Sequence, residues 1–309
     1  MEKQILIAVD DSPPSRLAVH YVARLAQVIS DLKCTLIHIQ PAISQFLVAA
    51  AAKDSQSRQA LEHLRAAHTE ASQLILDHQH QALTTLGIPN ADITTVSLPR
   101  QEGLAKTLLD YGQAQKVDAI VTGRRDLSAL QKPFMGRITA DLVENSTFLP
   151  LWIVDGEVDS PRLMVAVDGS ESSLRAVDHL GFMFNGNRSV KFHLMHVIPR
   201  LVESCGIDFG SGRERLEMIG RRGAYHCIDN FYGKALALFK AAGIEERQIE
   251  IQTLEKKLNP GKAIIQAAIE GDFGTLVIGR RGINRSFFTG SVSRYIINRV
   301  ENIALWLVS

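Results

Sequence analysis

The two halves of this chain repeat one pattern with changes. ILIAVDDS at residues 5–12 is answered by LMVAVDGS at 163–170, TLIHIQP at 35–41 by HLMHVIP at 193–199, and AIVTGRRD at 119–126 by TLVIGRRG at 275–282. The matches keep their spacing: Asp168 follows Asp10 by 158 positions, His196 follows His38 by 158, and Gly279 follows Gly123 by 156. A period of that length is a duplicated domain, so any fold proposed for one half must suit the other. The chain has 309 residues, enough for two cores of about 150 residues each.

Each half alternates short apolar runs with longer segments of helical periodicity. In the first, Gln4–Val9 ends at a carboxylate and reads as a central parallel strand. Asp11, Ser12, Pro13 and Pro14 then turn the chain and cap a helix with Leu17, Ala18, Tyr21, Val22 and Leu25 on one face. Cys34–Ile39 is a second strand, and residues 41–57 read as irregular. Gln59–Leu86 reads as a long helix with Leu61, Leu64, Ala67, Ala71, Leu74 and Ile75 on its apolar face. Ile93–Leu98, Val117–Val121 and Pro150–Val154 complete the strands, with a helix over Gly103–Tyr111 and another reaching Asn145.

Asp155–Pro161 is polar and rich in chain breakers, which puts a linker there and the domains at 1–156 and 157–309. The second half repeats the plan with strands at Leu163–Val167, Lys191–Val197, Ile249–Leu254, Thr275–Ile278 and Ala304–Val308. Its helices are Ser170–Phe184, one ending at Ala242, and Lys262–Glu270, with a glycine-rich loop over Arg200–Gly212. This order specifies an α/β fold: two tandem, doubly wound, five-stranded parallel sheets, Rossmann-like, with helices on both faces. In such sheets ligands bind beyond the carboxyl ends of the strands, where the strand order reverses. Asp168, Val197 and Gly279 lie at such ends.

After the strand at Thr275–Ile278 comes a loop with glycines at 279, 282 and 290 and then Ser291, with Val292, Tyr295, Ile296 and Val300 at helical spacing. Strand, glycine loop and helix together send backbone N–H groups and a positive helix end toward one point, which favours a phosphate. A tight turn followed by an N-cap accounts for one such loop equally well. In the first half Asp126 stands where the second glycine should be and Arg137 follows Gly136. A carboxylate in a phosphate nest repels the ligand, so the first site is expected to be degenerate, with Asp126 and Arg137 forming a local ion pair; recognition of a different anion by Arg124 and Arg137 is the alternative.

These residues carry a resemblance: each half resembles a universal stress protein domain, and the whole is similar to a tandem member of that family. The parts that carry it are VDGS at 167–170, the LMHVI run at 194–198, and the glycine loop leading into Gly290, Ser291 and Val292. The resemblance implies a five-stranded parallel sheet with ATP or AMP in a cleft at the strand ends. It implies phosphate contacts from Gly279, Gly282, Gly290 and Ser291, with a further backbone N–H from Val292. Asp168 would face the ribose or a nucleotide-bound Mg, and the backbones of Ala166, Val167 and Val197 would border the adenine. The family spacing of nine residues before the last glycine is kept between Asp126 and Gly136 but shortened to seven between Gly282 and Gly290. Such a loop is tighter over the outer phosphates.

Arg280 and Arg281, like Arg124 and Arg125, could clamp phosphates or lie solvated at the surface. His63, His68, His78 and His80 are spaced wrongly for a shared metal and read as surface residues, whereas His38 and His196 read as partly buried and hydrogen-bonded. No GxxxxGK[ST], GxSxG, HExxH or paired CxxC motif occurs, so binding is better supported than turnover. The net charge of +1 argues against a nucleic-acid partner or a polybasic membrane anchor. Three cysteines without pairing motifs, no spanning apolar run and a strand that begins almost at Met1 predict a cytoplasmic protein. The expected function is a stress-response regulator that binds an adenine nucleotide in its C-terminal half. A nucleotide-independent interaction module and a weak ATP hydrolase are the alternatives. By resemblance to family dimers, the last strands of the two repeats would pair to make the chain a pseudo-dimer. Homodimers and an unidentified regulatory protein are the further partners expected.

Overall fold

The structure, a computed structural model, describes all residues except 101, 125–136, 200–227 and 281–290, and the side chains of 137, 199, 255–257 and 291 are likewise outside the description. The chain divides into two compact units, Met1–Gln27 with Asp31–Glu157, and Val158–Ser309 with Val28–Ser30.

In the first unit the order is β1 (Lys3–Ala8), α1 (Pro13–Leu25), β2 (Leu32–Gln40), α2 (Gln45–Ala51), α3 (Ser55–Thr85), β3 (Ile93–Pro99), α4 (Leu104–Gln115), β4 (Ala119–Gly123), α5 (Arg137–Asn145) and β5 (Leu151–Val154). All its strand pairs are parallel, and they run β3, β2, β1, β4, β5 across the sheet. Ile5, Leu6 and Ile7 are each fully buried, because β1 is central and covered on both faces, which is why its sequence is an unbroken apolar run. The start of α1 follows from its sequence: the Ser12 side chain accepts from the N–H of Ser15, and Pro13 and Pro14 fill positions whose N–H groups have no helical partner.

The second unit repeats the plan with β6 (Leu163–Val167), α6 (Glu171–Met183), β7 (Phe192–Pro199), α7 (residues 228–241), β8 (Ile249–Lys257), α8 (Pro260–Glu270), β9 (Thr275–Gly279), α9 (Ser291–Arg299) and β10 (Ala304–Val308). Its strands run β8, β7, β6, β9, β10, again parallel throughout. An aromatic row fills its core. Trp306 stacks on Phe184 at 6.2 Å between centroids, Phe184 meets Phe192 edge-on at 5.5 Å, and Phe192 lies 5.1 Å from Phe239. In each unit the chain leaves the first strand toward one side of the sheet and later crosses to the other. The order therefore reverses between β1 and β4, and between β6 and β9.

Two expectations need correction. Residues 41–57 are not irregular: α2 occupies Gln45–Ala51, and α3 begins at Ser55 behind an Asp54 cap whose carboxylate accepts from the N–H of Ser57 at 2.7 Å. The buried stripe of α3 is only partly the predicted one, which Leu61, buried, and Leu64 and Ile75, half-buried, uphold. Leu61, Ser72, Leu76, Gln79 and Leu83 face inward, while Ala67, Ala71 and Leu74 are exposed. The cause is polar burial. Ser72 is fully buried, 2.7 Å from His38 Nδ1 and 2.7 Å from Ser97 Oγ, and Gln79 Nε2 donates to the carbonyl of Asp10 at 3.5 Å.

Candidate functional site

Each unit builds the same turn at the carboxyl end of its first strand. The Asp168 carboxylate accepts from the N–H of Ser170 at 3.0 Å, from Ser170 Oγ and from Ser173 Oγ, while the N–H of Asp168 donates to Ser173 Oγ at 3.1 Å. The Asp10 carboxylate likewise accepts from the N–H and hydroxyl of Ser12, and the N–H of Asp10 donates to Ser15 Oγ at 3.0 Å. Ser15 and Ser173 were not singled out in the sequence. The signal was there: both halves read Asp, any residue, Ser, two residues, Ser.

Across the switch point stand Gly123 and Gly279. A Cβ on Gly279 would lie 2.3 Å from the carbonyl carbon and oxygen of Ser172, and one on Gly123 would lie 2.1 Å from the carbonyl oxygen of Pro14. Glycine is required at both places because the strand end meets the backbone at a helix start. Neither the aspartate turn nor this glycine separates the two repeats. The separation lies in the loop beyond, where Gly282 and Ser291 stand in place of Asp126 and Arg137, with Gly136 and Gly290 common to both.

The structure gathers four of the predicted residues, Ala166, Val167, Asp168 and Gly279, about this reversal: Ala166 pairs with Ile278 of β9 and with Met195 of β7. Val197 is one strand away, buried in the β7–β8 ladder opposite Leu254. Val292 is the second residue of α9. Gly282 and Gly290 lie outside the described residues, as do Arg281, Arg125, Asp126 and the 200–212 loop, and nothing is described of the Ser291 side chain. The carbonyl of Val167 accepts from His196 Nδ1 at 2.8 Å, which puts the ring proton on that nitrogen.

Arg124 and Arg280 are not solvated surface residues. The Arg124 side chain is 9% exposed and ion-paired with Asp155 at 3.4 Å. Arg280 is 9% exposed, and burial lowers its affinity for its proton below the ordinary guanidinium range. Their backbones are equivalent: the N–H of Arg124 donates to Val154 and that of Arg280 to Val308, at 2.8 and 2.6 Å. His38 and His196 are buried and hydrogen-bonded as expected, and burial lowers the His38 pKa against an opposing pull from Asp10. Of the long-helix histidines, His63 and His78 are exposed whereas His68 and His80 are half-buried. Cys34 is buried, which pushes its thiol up to about 12 and leaves it inert at neutral pH.

In the first unit the switch point opens into a cavity of about 340 Å³. Val9, Asp10 and Gly123 form its strand-end wall, His38 and Ile39 one side, and Leu104, Leu108, Ile138 and Thr139 the helical side. In the second unit Ser170 and Ser172 bring hydroxyls within 2.8 Å of each other at the start of α6, beside the Asp168 carboxylate. Among the described residues no three His, Cys, Asp or Glu side chains cluster to hold a metal. No helix among the described residues is long and apolar enough to cross a membrane.

Comparison with protein families matches this chain to the Universal stress protein family twice, at residues 1–155 and 160–302. Comparison with curated proteins gives no match. Among solved structures, a universal stress protein from Archaeoglobus fulgidus DSM 4304 is 16% identical over 99% of this chain and 98% of its own, with a TM-score of 0.65. A functionally unknown protein from Pseudomonas aeruginosa PAO1 is 14% identical over 99% and 92%, with a TM-score of 0.61. A putative universal stress protein from Pseudomonas aeruginosa UCBPP-PA14 is 14% identical over 99% and 93%, at 0.57. At such identities the likeness is one of fold.

Proposed function

The chain belongs to the universal stress protein family, and from that premise we propose that its C-terminal repeat binds an adenine nucleotide, ATP or AMP, and reports its occupancy to a protein partner in a stress response. The observation that supports this most is the contrast between repeats that share one scaffold. Both keep the aspartate turn and the strand-end glycine. Only the second follows them with both Gly282 and Ser291 about the last glycine, the residues a phosphate needs for close backbone approach and hydroxyl contact, where the first has Asp126 and Arg137 about Gly136.

In this reading the phosphates meet the backbone of the loop from Gly279 to Val292. Ala166, Val167 and Val197 border the base, and Asp168 takes a ribose hydroxyl or Mg. Binding acts by population shift: the nucleotide favours whichever arrangement of the loop it contacts best, and the partner reads that arrangement. Nothing in the described part supplies a base beside an outer phosphate, which favours a binding protein over a hydrolase. The cytoplasm, with its nucleotide pool and reduced thiols, is the compartment that suits it.

Small molecules released by denaturing the freshly purified protein test the proposal, with a Gly290→Val variant beside the wild type. ATP or AMP near one per chain from the wild type and none from the variant is the expected result. Equal nucleotide from both, or none from either together with no thermal shift on adding ATP, rejects it.

A further inference from the structure

The amino ends of the strands in the C-terminal unit, opposite the candidate nucleotide site, carry a titratable cluster that the proposed function does not use. Among the described residues β8 is the outer strand of its sheet and pairs with β7 alone. His193 of β7 stands beside Glu250 of β8 in that ladder, and its Nδ1 lies 3.2 Å from one Glu250 carboxylate oxygen. Lys191 Nζ lies 3.5 Å from the other. The imidazole meets the buried Phe273 ring edge-on at 4.7 Å between centroids. The Arg162 guanidinium stands over the same phenyl ring at 4.6 Å and donates to the carbonyl of Gly271 at 2.5 Å. The His193 side chain is 12% exposed, against 51% for Glu250 and 66% for Lys191, so of these three the imidazole is the one largely out of water.

We propose that His193 is a pH-operated latch on the edge of the C-terminal unit: neutral, it holds β8 to β7 through Glu250 and Phe273, and its protonation loosens the outer strand. Protonation places a charge where little water reaches it; Glu250 draws that charge, while Arg162 and Lys191 repel it. Burial is the largest of these influences, and with the two cations it outweighs Glu250, so the ring holds its proton less tightly than an ordinary histidine. The helix α8 also packs on β7, but its charged residues, Lys262 and Glu270, are exposed, as is Asp272 in the turn that follows, and Glu270 already accepts from Gln266 at 2.7 Å. Phe192, next to His193, faces the aromatic row, so α6 and α7 lie across the sheet from the imidazole. Just before β8 the buried Gln248 donates to the carbonyls of Asn187 and Val190 at 3.1 and 2.8 Å, an anchor that does not titrate. Because the folded pKa is depressed, the latch is complete above about pH 6.5 and weakens as pH falls through the folded value.

Histidine-ring NMR of the full chain, titrated from about pH 8 to about pH 5, tests this, with His193→Gln to identify the signal. The His193 midpoint is expected below 6.5. Arg162→Gln and Glu250→Gln, both at exposed positions, are expected to move it up and down respectively, opposite shifts that a purely structural contact does not produce. Hydrogen exchange by peptide, corrected for intrinsic rate, reads the strand itself. Opening over Ile249–Leu254 is expected to be about threefold more frequent at about pH 5.5 than at about pH 7.5 in the wild type, and unchanged in His193→Gln. A midpoint at or above 6.5, shifts of the same sign in both flanking variants, or β8 protection independent of pH overturns the proposal. So does an equal response in His193→Gln, or one over Ala304–Val308 as large as that over β8, which would mark opening of the whole unit rather than release of its edge.

Discussion

A side chain at Gly279 has nowhere to go, because the carbonyl of Ser172 already occupies the position of its Cβ, and Gly123 faces Pro14 in the same way. Gly279→Ala and Gly123→Ala are both expected to cost about 3 kcal/mol, since backbone rather than a pliant side chain must yield. Urea midpoints measure this, and a Gly123→Ala protein as stable as the wild type would show that the strand end is not confined. His179 makes a pH prediction. It is half-buried, 5.8 Å from Trp306 in an edge-on contact, and burial lowers its pKa to about 4 from an ordinary value of 6.5. Because the folded pKa is depressed, the unfolded chain takes up the proton first as pH falls. The contribution is complete above about pH 6.5 and is lost progressively toward pH 4, up to about 3 kcal/mol in all. Unfolding at pH 7, 5.5 and 4.5 should show that slope, and His179→Phe should flatten it; an unchanged slope would assign the acid sensitivity elsewhere. The strand-end glycines, Asp10 and Asp168 were legible in the sequence as residues that mattered. Why they mattered was not, because the close approach to Ser172 and Pro14 joins residues more than a hundred positions apart.

At the scale of elements, the strands were read from apolar runs with errors of a few residues, and β6 and β10 matched end for end. The long helix α3 shows where such reading stops. Its sequence offers an apolar stripe through Ala67, Ala71 and Leu74, yet the helix turns Ser72 and Gln79 inward and leaves those three exposed. A buried hydroxyl is tolerable only with partners, and Ser72 finds His38 on β2 and Ser97 on β3. Ser72→Ala removes a partner from both and is expected to cost about 1–3 kcal/mol. A double-mutant cycle with His38→Leu should recover part of that loss, and strict additivity would mean the two do not interact. Between α8 and α9 the fit is close as well: a Cβ on Gly261 would lie 2.9 Å from the Tyr295 ring, which Arg299 caps at 4.3 Å. The sequence gives no hint of this contact, since glycine near a helix start reads as a capping choice.

For the whole molecule the prediction concerns which unit answers to nucleotide. ATP at about a hundred times its Kd should stabilise the C-terminal unit by about 2.7 kcal/mol and leave the N-terminal unit untouched. Hydrogen exchange followed by peptide separates the two: protection is expected around β6, β9 and the start of α9, and equal protection around β1 and β4 would mean that the first repeat is not degenerate. Trp306→Ala removes the ring at one end of the aromatic row and should cost about 3–5 kcal/mol, read as a lowered melting temperature of its own unit. The sequence by itself determined the duplication, the α/β class, the alternation of strands and helices, and the loss of the phosphate-loop residues from the first repeat. These are recorded in local periodicity and in the identity of residues at a fixed offset, which need no knowledge of the other parts of the chain. Only the tertiary structure decided that Arg124 is buried against Asp155, that α3 turns Ser72 inward onto His38, and that the first repeat holds a formed cavity. Each of these depends on atoms brought together across the sheet, where burial and hydrogen-bond geometry, not spacing along the chain, set which side chain turns inward.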